Sequence, residues 1–522
     1  METIDIFPEF STYRNSFMLY NEKILLEILK DNASTEFGIK HGFLNTGSAE
    51  EYRLKVPIAA YTDFENQIRR MRDVNSGTLC SYPIFSFMKT SVSTDIEKLI
   101  PISQRALQSY GNVMDRYLQE FSANAKGKRL WISFQLGDTG KKRDSGSALI
   151  FTDAYYHYLC EHNAIPFEQL SGGADFFFFP EICDFRYAKL WLAFACEDIC
   201  SLESVYLYDL LIFFKYMEDH YSEVLDHMEN HAIPEEIRLP RHLKEKLLAI
   251  DIKPDRLKHV RRECSKGFGD IARRLWKDIG LVSGIGSKAF KVGEISLKKY
   301  TGDIPVWHYI YAASECLIGV PADLNTYDYI LYPGSAYYEF RPEDAPDGET
   351  VDVLSLKKGM KYELILTTFS GLYRYAMEDI VEVRGFYGEL PVIRFCYRKN
   401  LSLNIAGEKM DMLTLDSAVG KWSEKSKLSV WQYFFYEDHS VTPSRYSAVL
   451  ALSSGVPPSS LDSSELMDSL LEEMNSDYKD LKNLGSISKL NLKIVDRESF
   501  LSLRESHVKS GGQLKPKHIV KD

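Results

Sequence analysis

Helical periodicity dominates the first half of the chain. Apolar residues recur at three- and four-residue steps over residues 21–30, 104–123 and 201–230, the spacing that turns one helix face toward a core. Between these segments, residues 129–135 and 175–179 form short apolar runs bounded by breakers, which predict strands. The alternation of strand and helix predicts an α/β layered core.

From about residue 303 the pattern changes to closely spaced strands, in the segments VWHYIYAAS, YDYILYP, AYYEFRP, KYELILTTF, DIVEVRGF and PVIRFCYR. After Arg398 a smaller α+β pattern follows, with a strand at 446–452 and an acidic helix from 465 to about 481. We therefore predict an α/β protein with a large N-terminal domain of layered sheets and helices, residues 1–397. We also predict a small, mobile α+β C-terminal domain, residues 398–522.

Size and charge narrow the classes of function. A chain of 522 residues exceeds the size at which a single core stops growing. The 63 Lys and Arg against 74 Asp and Glu leave a net charge of −11, which disfavours nucleic acid as the main ligand. The basic stretch 253–274 predicts a solvated helix face rather than a polyanion site.

Cysteine usage and hydropathy indicate the compartment. The eight cysteines lack CxxC spacing, and most, such as Cys196 and Cys396, lie in apolar surroundings, as reduced core thiols do. The first residues do not resemble a signal peptide. The most apolar segment, 205–216, is short and is interrupted by Asp209 and Lys215, so no membrane span is predicted. We expect a cytoplasmic protein.

A hydroxyl cluster precedes Lys98 in the segment FMKTSVSTDIEKLIPI. Hydroxyl groups, turn amides and one lysine together offer many donors to a polyphosphate. The alternative is a Ser/Thr-rich surface turn.

The segment YAASECLIG, residues 311–319, ends an apolar strand. Its small residues would let a ligand approach the backbone, and the Glu315 carboxylate could hold a hard cation such as Mg²⁺. The alternative is a strand-to-turn junction with a solvated glutamate.

Two further candidates lie nearer the C-terminus. Asp379 is predicted to end a tight turn before a β-branched strand, where it could accept protons from two ribose hydroxyls; alternatively it only caps the turn. The glycine-led tail GGQLKPKHIV carries Lys515 and Lys517. A lysine there could be delivered to a reacting phosphate, or the tail is merely a solvated basic tail.

The order and spacing of these segments resemble the auxin-responsive Gretchen Hagen family of acyl-acid amido synthetases, a branch of the firefly-luciferase-like adenylate-forming superfamily. The resemblance covers nearly the whole chain. It begins at FGIKHGFLNTGSAEEYRLKVP, residues 37–57, continues through Trp276 and the TTFSGLYRY block, and reaches the tail QLKPKHIV.

The resemblance implies a role for each motif. TSVSTDIEK is similar to the phosphate loop TSGTTGxxK, YAASE to the second motif and YRYAMED to the third. The implied sites are Thr90, Ser91, Ser93, Thr94 and Lys98 for phosphates, Ala312, Ala313 and Ser314 for adenine and phosphate, Glu315 for Mg²⁺, Asp379 for ribose, Arg398 for the hinge and ribose, and Lys515 for the adenylate.

Some positions depart from the family pattern. Val92 and Asp95 stand where the phosphate loop usually has glycines, and Asp95 would repel a triphosphate at close range unless a cation intervenes. Ala376 and Glu378 replace the usual arginine and glycine of YRYRxGD, and His518 stands where the tail often has arginine. These departures concern the rate of adenylation more than the fold.

The implied function is a ligase that uses ATP and Mg²⁺, activates a small carboxylic acid as acyl-AMP and transfers the acyl group to an amine or amino acid. A non-catalytic nucleotide- or acyl-binding descendant and an acyl-CoA or acyl-carrier ligase are the alternatives. Aromatic residues near the expected acyl pocket suggest that the acid is apolar or aromatic. Alternatively, these residues are only part of the hydrophobic core. They are Phe134, Phe151, Tyr155 and residues 176–179.

Overall fold

A computed structural model provides the structure. It describes residues 10, 13–74, 77–89, 98–109, 113, 127–133, 135–136, 167–179, 183–285, 297–308, 310–323, 326–345, 348–399, 402–403, 405, 410–438, 440–453, 463–483, 487–507 and 519–520.

The α-helices are α1 Phe17–Asp31, α2 Glu36–Lys40, α3 Ala49–Lys55, α4 Tyr61–Val74, α5 Phe185–Ala195, α6 Leu207–Glu229, α7 Arg241–Leu248, α8 Pro254–Ser265, α9 Ile271–Leu275, α10 Met412–Ser426, α11 Ser463–Met474, α12 Ser476–Asn483 and α13 Arg497–His507. The strands are β1 Ile84–Lys89, β2 Leu99–Ser103, β3 Lys128–Trp131, β4 Gln135–Leu136, β5 Phe178–Phe179, β6 Ile199–Tyr206, β7 Leu281–Ile285, β8 Val306–Trp307, β9 Tyr311–Ala312, β10 Leu317–Pro321, β11 Tyr329–Leu331, β12 Ala336–Pro342, β13 Lys361–Thr368, β14 Tyr375–Tyr387, β15 Leu390–Arg398, β16 Ser402–Leu403, β17 Met410–Asp411, β18 Val430–Asp438, β19 Arg445–Leu452, β20 Ser488–Val495 and β21 Ile519–Val520.

A seven-stranded antiparallel sheet, in the order β12-β13-β14-β15-β11-β10-β9, carries the candidate site. Helix α1 covers its β12 edge with apolar residues at helical spacing, including Ile24 and Ile28. On the same helix the Asn21 side-chain amide donates to the Tyr338 carbonyl and accepts from the Tyr338 N–H, at 2.9 and 3.0 Å. These bonds replace the ladder bonds that an edge strand otherwise leaves open.

A parallel sheet, β3-β6-β7-β8, forms a second layer against α5 and α6. The prediction of a helix over 201–230 is wrong in its first part, because residues 199–206 form β6 and the helix begins only at Leu207. A parallel strand is buried on both faces and lacks the two-residue alternation of a half-exposed strand. The buried Glu203 carboxylate in β6 is satisfied by Arg129 Nε at 2.6 Å and Ser201 Oγ at 2.6 Å.

The C-terminal sheet has the order β20-β19-β18-β21 and packs with α10, α11 and α12 around a core of its own. The predicted strand at 446–452 is confirmed as β19, whereas the predicted acidic helix is divided into α11 and α12. Trp431, Phe434 and Phe500 join instead the core of the parallel sheet. The domain boundary near residue 398 stays a prediction.

Other local predictions are corrected. Within 175–179 only Phe178–Phe179 form a strand, after a 3₁₀ turn at Ala174–Phe176. Arg256, in the basic stretch predicted as a solvated helix face, is buried and donates to the carbonyls of Phe194 and Leu275, both at 2.8 Å.

The described cysteines are free thiols. Five of the seven are buried, as predicted, whereas Cys196 and Cys396 are half-buried. Within the described part of the chain, no helix combines the length and apolarity needed to cross a bilayer.

Helix α5 buries one cation. Lys189 is 2% exposed, its ammonium donates to the Phe176 carbonyl, and it lies 5.5 Å from the centre of the Phe179 ring. Burial lowers the pKa of Lys189 from 10.5 to about 7. The unfolded chain therefore binds this proton more tightly than the folded protein does. The free energy of unfolding should accordingly rise with pH across the interval between those two values.

We expect Lys189→Met to raise the free energy of unfolding by about 1–4 kcal/mol below neutrality, because methionine fills the site without a buried charge. The gain should shrink as the pH rises toward the ordinary lysine pKa. Urea unfolding near pH 6 and near pH 9 checks this. Lys298→Met, at an exposed lysine, is the matched control and should change stability by less than about 0.5 kcal/mol. A gain of the same size at both pH values would contradict the assignment.

Candidate active site

Asp379 and Arg398 meet across two neighbouring strands. They are directly opposite each other in the β14–β15 register, and Arg398 Nε donates to Asp379 Oδ1 at 2.8 Å. Asp379 is buried, and its carboxylate holds the pKa of Arg398 well above the usual value. The pair thus presents a charged, fixed carboxylate inside the sheet.

Tyr311 completes this network from β9, and its hydroxyl donates to Asp379 Oδ2 at 2.8 Å. Strand β9 is four places from β14 in the sheet, or about 19 Å at a spacing of about 4.8 Å per strand. Two side chains cannot bridge that distance across a flat sheet, so the sheet must curl. An irregularity in the β9–β10 pairing and the absence of a side chain at Gly319, against Tyr329 and Ile330, accommodate the curl.

The Tyr311 ring is held between aromatic neighbours. Its centre lies 5.7 Å from that of Tyr329 and 5.9 Å from that of Phe395. Burial, followed by the neighbouring Asp379 charge, raises the pKa of Tyr311 well above its usual value. The hydroxyl therefore keeps its proton and acts as a donor to Asp379.

Glu378 gives the backbone before Asp379 an unusual conformation. Its φ of 66° lies in the left-handed region, and the β13–β14 register shifts between Glu363 and Ile365 at this level. The Glu378 carbonyl accepts from the Lys399 N–H at 2.7 Å. Asp379 was predicted to end a turn before a strand; the structure places it inside β14, immediately after this irregularity.

Glu315 lies in the turn between β9 and β10, where the Ala313 N–H donates to the Cys316 carbonyl at 3.0 Å. Glu315 is 5% exposed. Burial raises the pKa of Glu315, the Arg398 charge opposes that rise, and the Asp379 charge adds to it. The Lys98 charge also opposes the rise, so two cations favour the charged form of this buried carboxylate.

The side chains around Glu315 determine whether this site could hold Mg²⁺. Among the described residues, His, Cys, Asp and Glu side chains form no cluster of three or more that could hold a metal ion. Mg²⁺ is commonly held by one or two carboxylates together with substrate phosphates. Glu315 alone therefore fits this ion only in combination with a bound nucleotide.

Arg374 ties the start of β14 to the N-terminal segment. Its guanidinium makes two 3.0 Å bonds to the Glu339 carboxylate and donates to the Val56 carbonyl at 2.8 Å. The Ala59 N–H and the Arg374 carbonyl are also paired, at 3.0 Å. Both members of the ion pair are buried, so the strand that carries Asp379 starts from a rigid position.

Several predicted site residues lie outside the described part of the chain: Thr90, Ser91, Ser93, Thr94, Lys515, Phe134, Phe151 and Tyr155. Of those described, Ala312, Ala313 and Ser314 are half-exposed beside Glu315. In the predicted acyl-pocket segment, Phe176, Phe177 and Phe179 are buried within the hydrophobic cores.

The sequence did not lead us to the contact of Tyr311 with Asp379 or to the position of Glu378 beside Lys98. Tyr311 was detectable in principle, because it immediately precedes the small residues of YAASE. The ion pair between Lys98 Nζ and Glu378 Oε2, at 3.8 Å, carries no local signal in either segment.

The curled sheet, the α/β layers and the C-terminal sheet give the chain the fold of the adenylate-forming ligases. A solved structure named GH3.15 acyl acid amido synthetase matches with a TM-score of 0.85 and 23% identity, covering 98% of this chain and 93% of that chain. A 2-hydroxyisobutyryl-CoA ligase in the postadenylation state matches with a TM-score of 0.56 and 9% identity, covering 96% of this chain and 88% of that chain.

The family follows from the sequence. Models of the GH3 family match as its N-terminal domain over residues 9–306, its central domain over 329–398 and its C-terminal domain over 414–522. The chain therefore belongs to the GH3 family, and the resemblance inferred from the motifs is confirmed.

Proteins with similar sequences belong to the same family. The indole-3-acetic acid-amido synthetase GH3.8 of Oryza sativa subsp. indica is 27% identical, with 94% of this chain and 86% of that protein covered. GH3.6 of Arabidopsis thaliana, with the same enzyme name, is 26% identical, with 94% and 86% covered.

Proposed function

We propose that this protein is an ATP-dependent acyl-acid amido synthetase. It activates a small carboxylic acid as acyl-AMP and transfers the acyl group to an amine or amino acid. The observation that carries the proposal is the buried Asp379 carboxylate, held on one oxygen by Arg398 and on the other by Tyr311 beside Glu315. GH3-family membership and the amido synthetase names of the relatives support the same reaction class.

Asp379 retains capacity for the ribose. Each carboxylate oxygen accepts about two hydrogen bonds, and the network uses one on Oδ1 and one on Oδ2. Among the contacts of the described residues, one acceptor position on each oxygen is left for the two ribose hydroxyls. Arg398 and Tyr311 would keep the carboxylate oriented while the nucleotide binds.

Lys98 and Glu315 would serve the phosphate chain. The Lys98 side chain is 25% exposed, and its ammonium would offer charge to the phosphates, together with the hydroxyls of Thr90, Ser91, Ser93 and Thr94. Glu315 would hold Mg²⁺, whose chemical contribution when bound is to offset phosphate charge. Ala312, Ala313 and Ser314 would let the nucleotide approach the backbone.

The reaction has two steps. In the first, a carboxylate oxygen of the acid bonds to the α-phosphorus of ATP, and the bond to pyrophosphate breaks. In the second, the amine nitrogen bonds to the acyl carbon and loses a proton, and AMP leaves. Lys515 would stabilise charge in the first step, and rotation of residues 398–522 about Arg398 would then withdraw it.

Two alternatives make different predictions. A non-catalytic descendant would bind nucleotide or acid without forming acyl-AMP. Val92 and Asp95, which stand where the family's phosphate loop usually has glycines, motivate it. An acyl-CoA or acyl-carrier ligase would share the first step and differ in the acceptor. The fold is common to all three, so assays of acyl-AMP formation and of the acceptor have to separate them.

Acid-dependent exchange of labelled pyrophosphate into ATP tests the proposal. With Mg²⁺ and a panel of aliphatic and aromatic acids, we expect exchange with at least one acid and none without acid. Adding amino acids, other amines or coenzyme A in turn to an active mixture then identifies the acceptor. Nucleotide binding without exchange for any acid would favour the non-catalytic alternative, and thioester formation without amide would favour the CoA ligase.

A further inference from the structure

Glu378 has a backbone conformation that is costly for glutamate. Its φ of 66° lies in the left-handed region, which glycine occupies freely and Asn or Asp can support with a short side chain. Glutamate has neither advantage. Strain of this kind persists where the surrounding structure maintains it, and it concentrates at functional sites.

The strained backbone holds the Glu378 carboxylate beside Lys98. Lys98 Nζ lies 3.8 Å from Glu378 Oε2, and the two side chains are 25% and 24% exposed. The Lys399 N–H fixes the Glu378 carbonyl at 2.7 Å, whereas the Lys399 ammonium is directed to Glu363 Oε2 at 3.2 Å. On the other side, the Lys98 ammonium lies 5.8 Å from the centre of the Tyr61 ring.

This arrangement has a consequence for any anion bound by Lys98. A phosphate that reaches the ammonium approaches the Glu378 carboxylate, and like charges repel at such separations. The phosphate must also replace Glu378 as the partner of Lys98. Both effects weaken the binding of a phosphate chain. Neither acts on the ribose, which would be held at Asp379, or on adenine, which would lie at Ala312, Ala313 and Ser314.

We propose that Glu378 is a specificity-determining residue that competes with the β- and γ-phosphates for Lys98 and thereby limits affinity for ATP and pyrophosphate relative to AMP. This inference rests on the proposed nucleotide-binding function. It adds a role for a carboxylate that the two-step reaction does not itself require.

Isothermal titration of the full chain with α,β-methylene ATP, pyrophosphate and AMP, at fixed Mg²⁺, tests the proposal. Glu378→Gln keeps the side-chain shape and removes the charge. We expect it to tighten binding of the triphosphate and pyrophosphate by about three- to tenfold and to change AMP binding by less than about twofold. Raised salt should reduce the difference, because screening weakens the repulsion.

A second pair of variants separates charge from backbone strain. Glu378→Gly should tighten phosphate-chain binding as glutamine does and should also raise the melting temperature. Lys427→Gly relieves a similar conformation, φ 59°, at an exposed residue after α10. It should raise the melting temperature with no change in binding of any of the three ligands.

The outcomes discriminate between explanations. Weaker or unchanged triphosphate binding in Glu378→Gln would overturn the proposal and assign Glu378 to positioning Lys98 instead. If Glu378→Gln tightened AMP binding as much as triphosphate binding, the proposal would be overturned in favour of a general effect of charge. If the unmutated protein binds none of the three ligands, the proposed function fails, and the inference fails with it.

Discussion

ATP affinity should fall by about a hundredfold or more when Asp379 is replaced by alanine. The proposed contacts are two hydrogen bonds from ribose hydroxyls to a carboxylate, and bonds to charged groups contribute about 1.5–3 kcal/mol each. Calorimetry with ATP measures the loss. The effect should nearly vanish with 2′,3′-dideoxy-ATP, which lacks both hydroxyls, because the variant and the analogue remove the same contacts.

Controls for this variant follow from its neighbours. Tyr311→Phe keeps the ring and removes one hydrogen bond to Asp379, so it should cause a smaller loss that is likewise confined to nucleotides with both hydroxyls. Tyr329→Phe, at an aromatic neighbour of Tyr311, should leave ATP affinity unchanged. An equal loss for ATP and the dideoxy analogue in Asp379→Ala would show damage to the fold rather than loss of a ribose contact.

Stability should fall by about 3–5 kcal/mol when Arg374 is replaced by methionine. The change leaves the Glu339 carboxylate, which is 1% exposed, without its guanidinium, and an uncompensated buried charge costs about that much. It also removes the donor to the Val56 carbonyl. Chemical denaturation measures the free energy of unfolding.

A double variant tests whether the buried charge causes the loss. Adding Glu339→Leu to Arg374→Met should recover part of the stability, since replacing both partners removes the stranded charge. Recovery should be incomplete, because the Val56 carbonyl still lacks its donor. Arg384→Met, in an exposed pair with Glu382, should cost less than about 1 kcal/mol. A double variant as unstable as the single one would contradict this account.

The pattern of apolar residues predicted several helices and strands correctly, because the residues that each of them buries are close together in the sequence. Helix α1 follows from apolar residues on one helix face, and the closely spaced strands after residue 303 follow from their short β-branched and aromatic runs between breakers. Strand β6 was missed because it is covered on both faces, so its residues lack the alternation that distinguishes a strand from a helix.

Some residues of the candidate site could also be predicted from the sequence. Glu315, Asp379 and Arg398 were selected from motif context, and the structure brings their charges close enough to affect one another. Their roles in catalysis stay predictions. Tyr311 was missed because its contact with Asp379 depends on a curled sheet, and curl is a property of several strands together rather than of one segment.

The sequence by itself determined the apolar faces of the helices and strands, the motif residues and the family, because each of these is encoded in short stretches of residue type and spacing. Only the tertiary structure decided that Arg398 lies opposite Asp379, that Tyr311 reaches the same carboxylate, and that Glu378 meets Lys98 in a strained conformation. The physical reason is that Tyr311 and Lys98 lie far along the chain from Asp379 and Glu378, and that the Asp379–Arg398 pair depends on the register of two strands. Strand register, sheet curl and backbone strain, which set their geometry, arise only when the whole sheet is assembled.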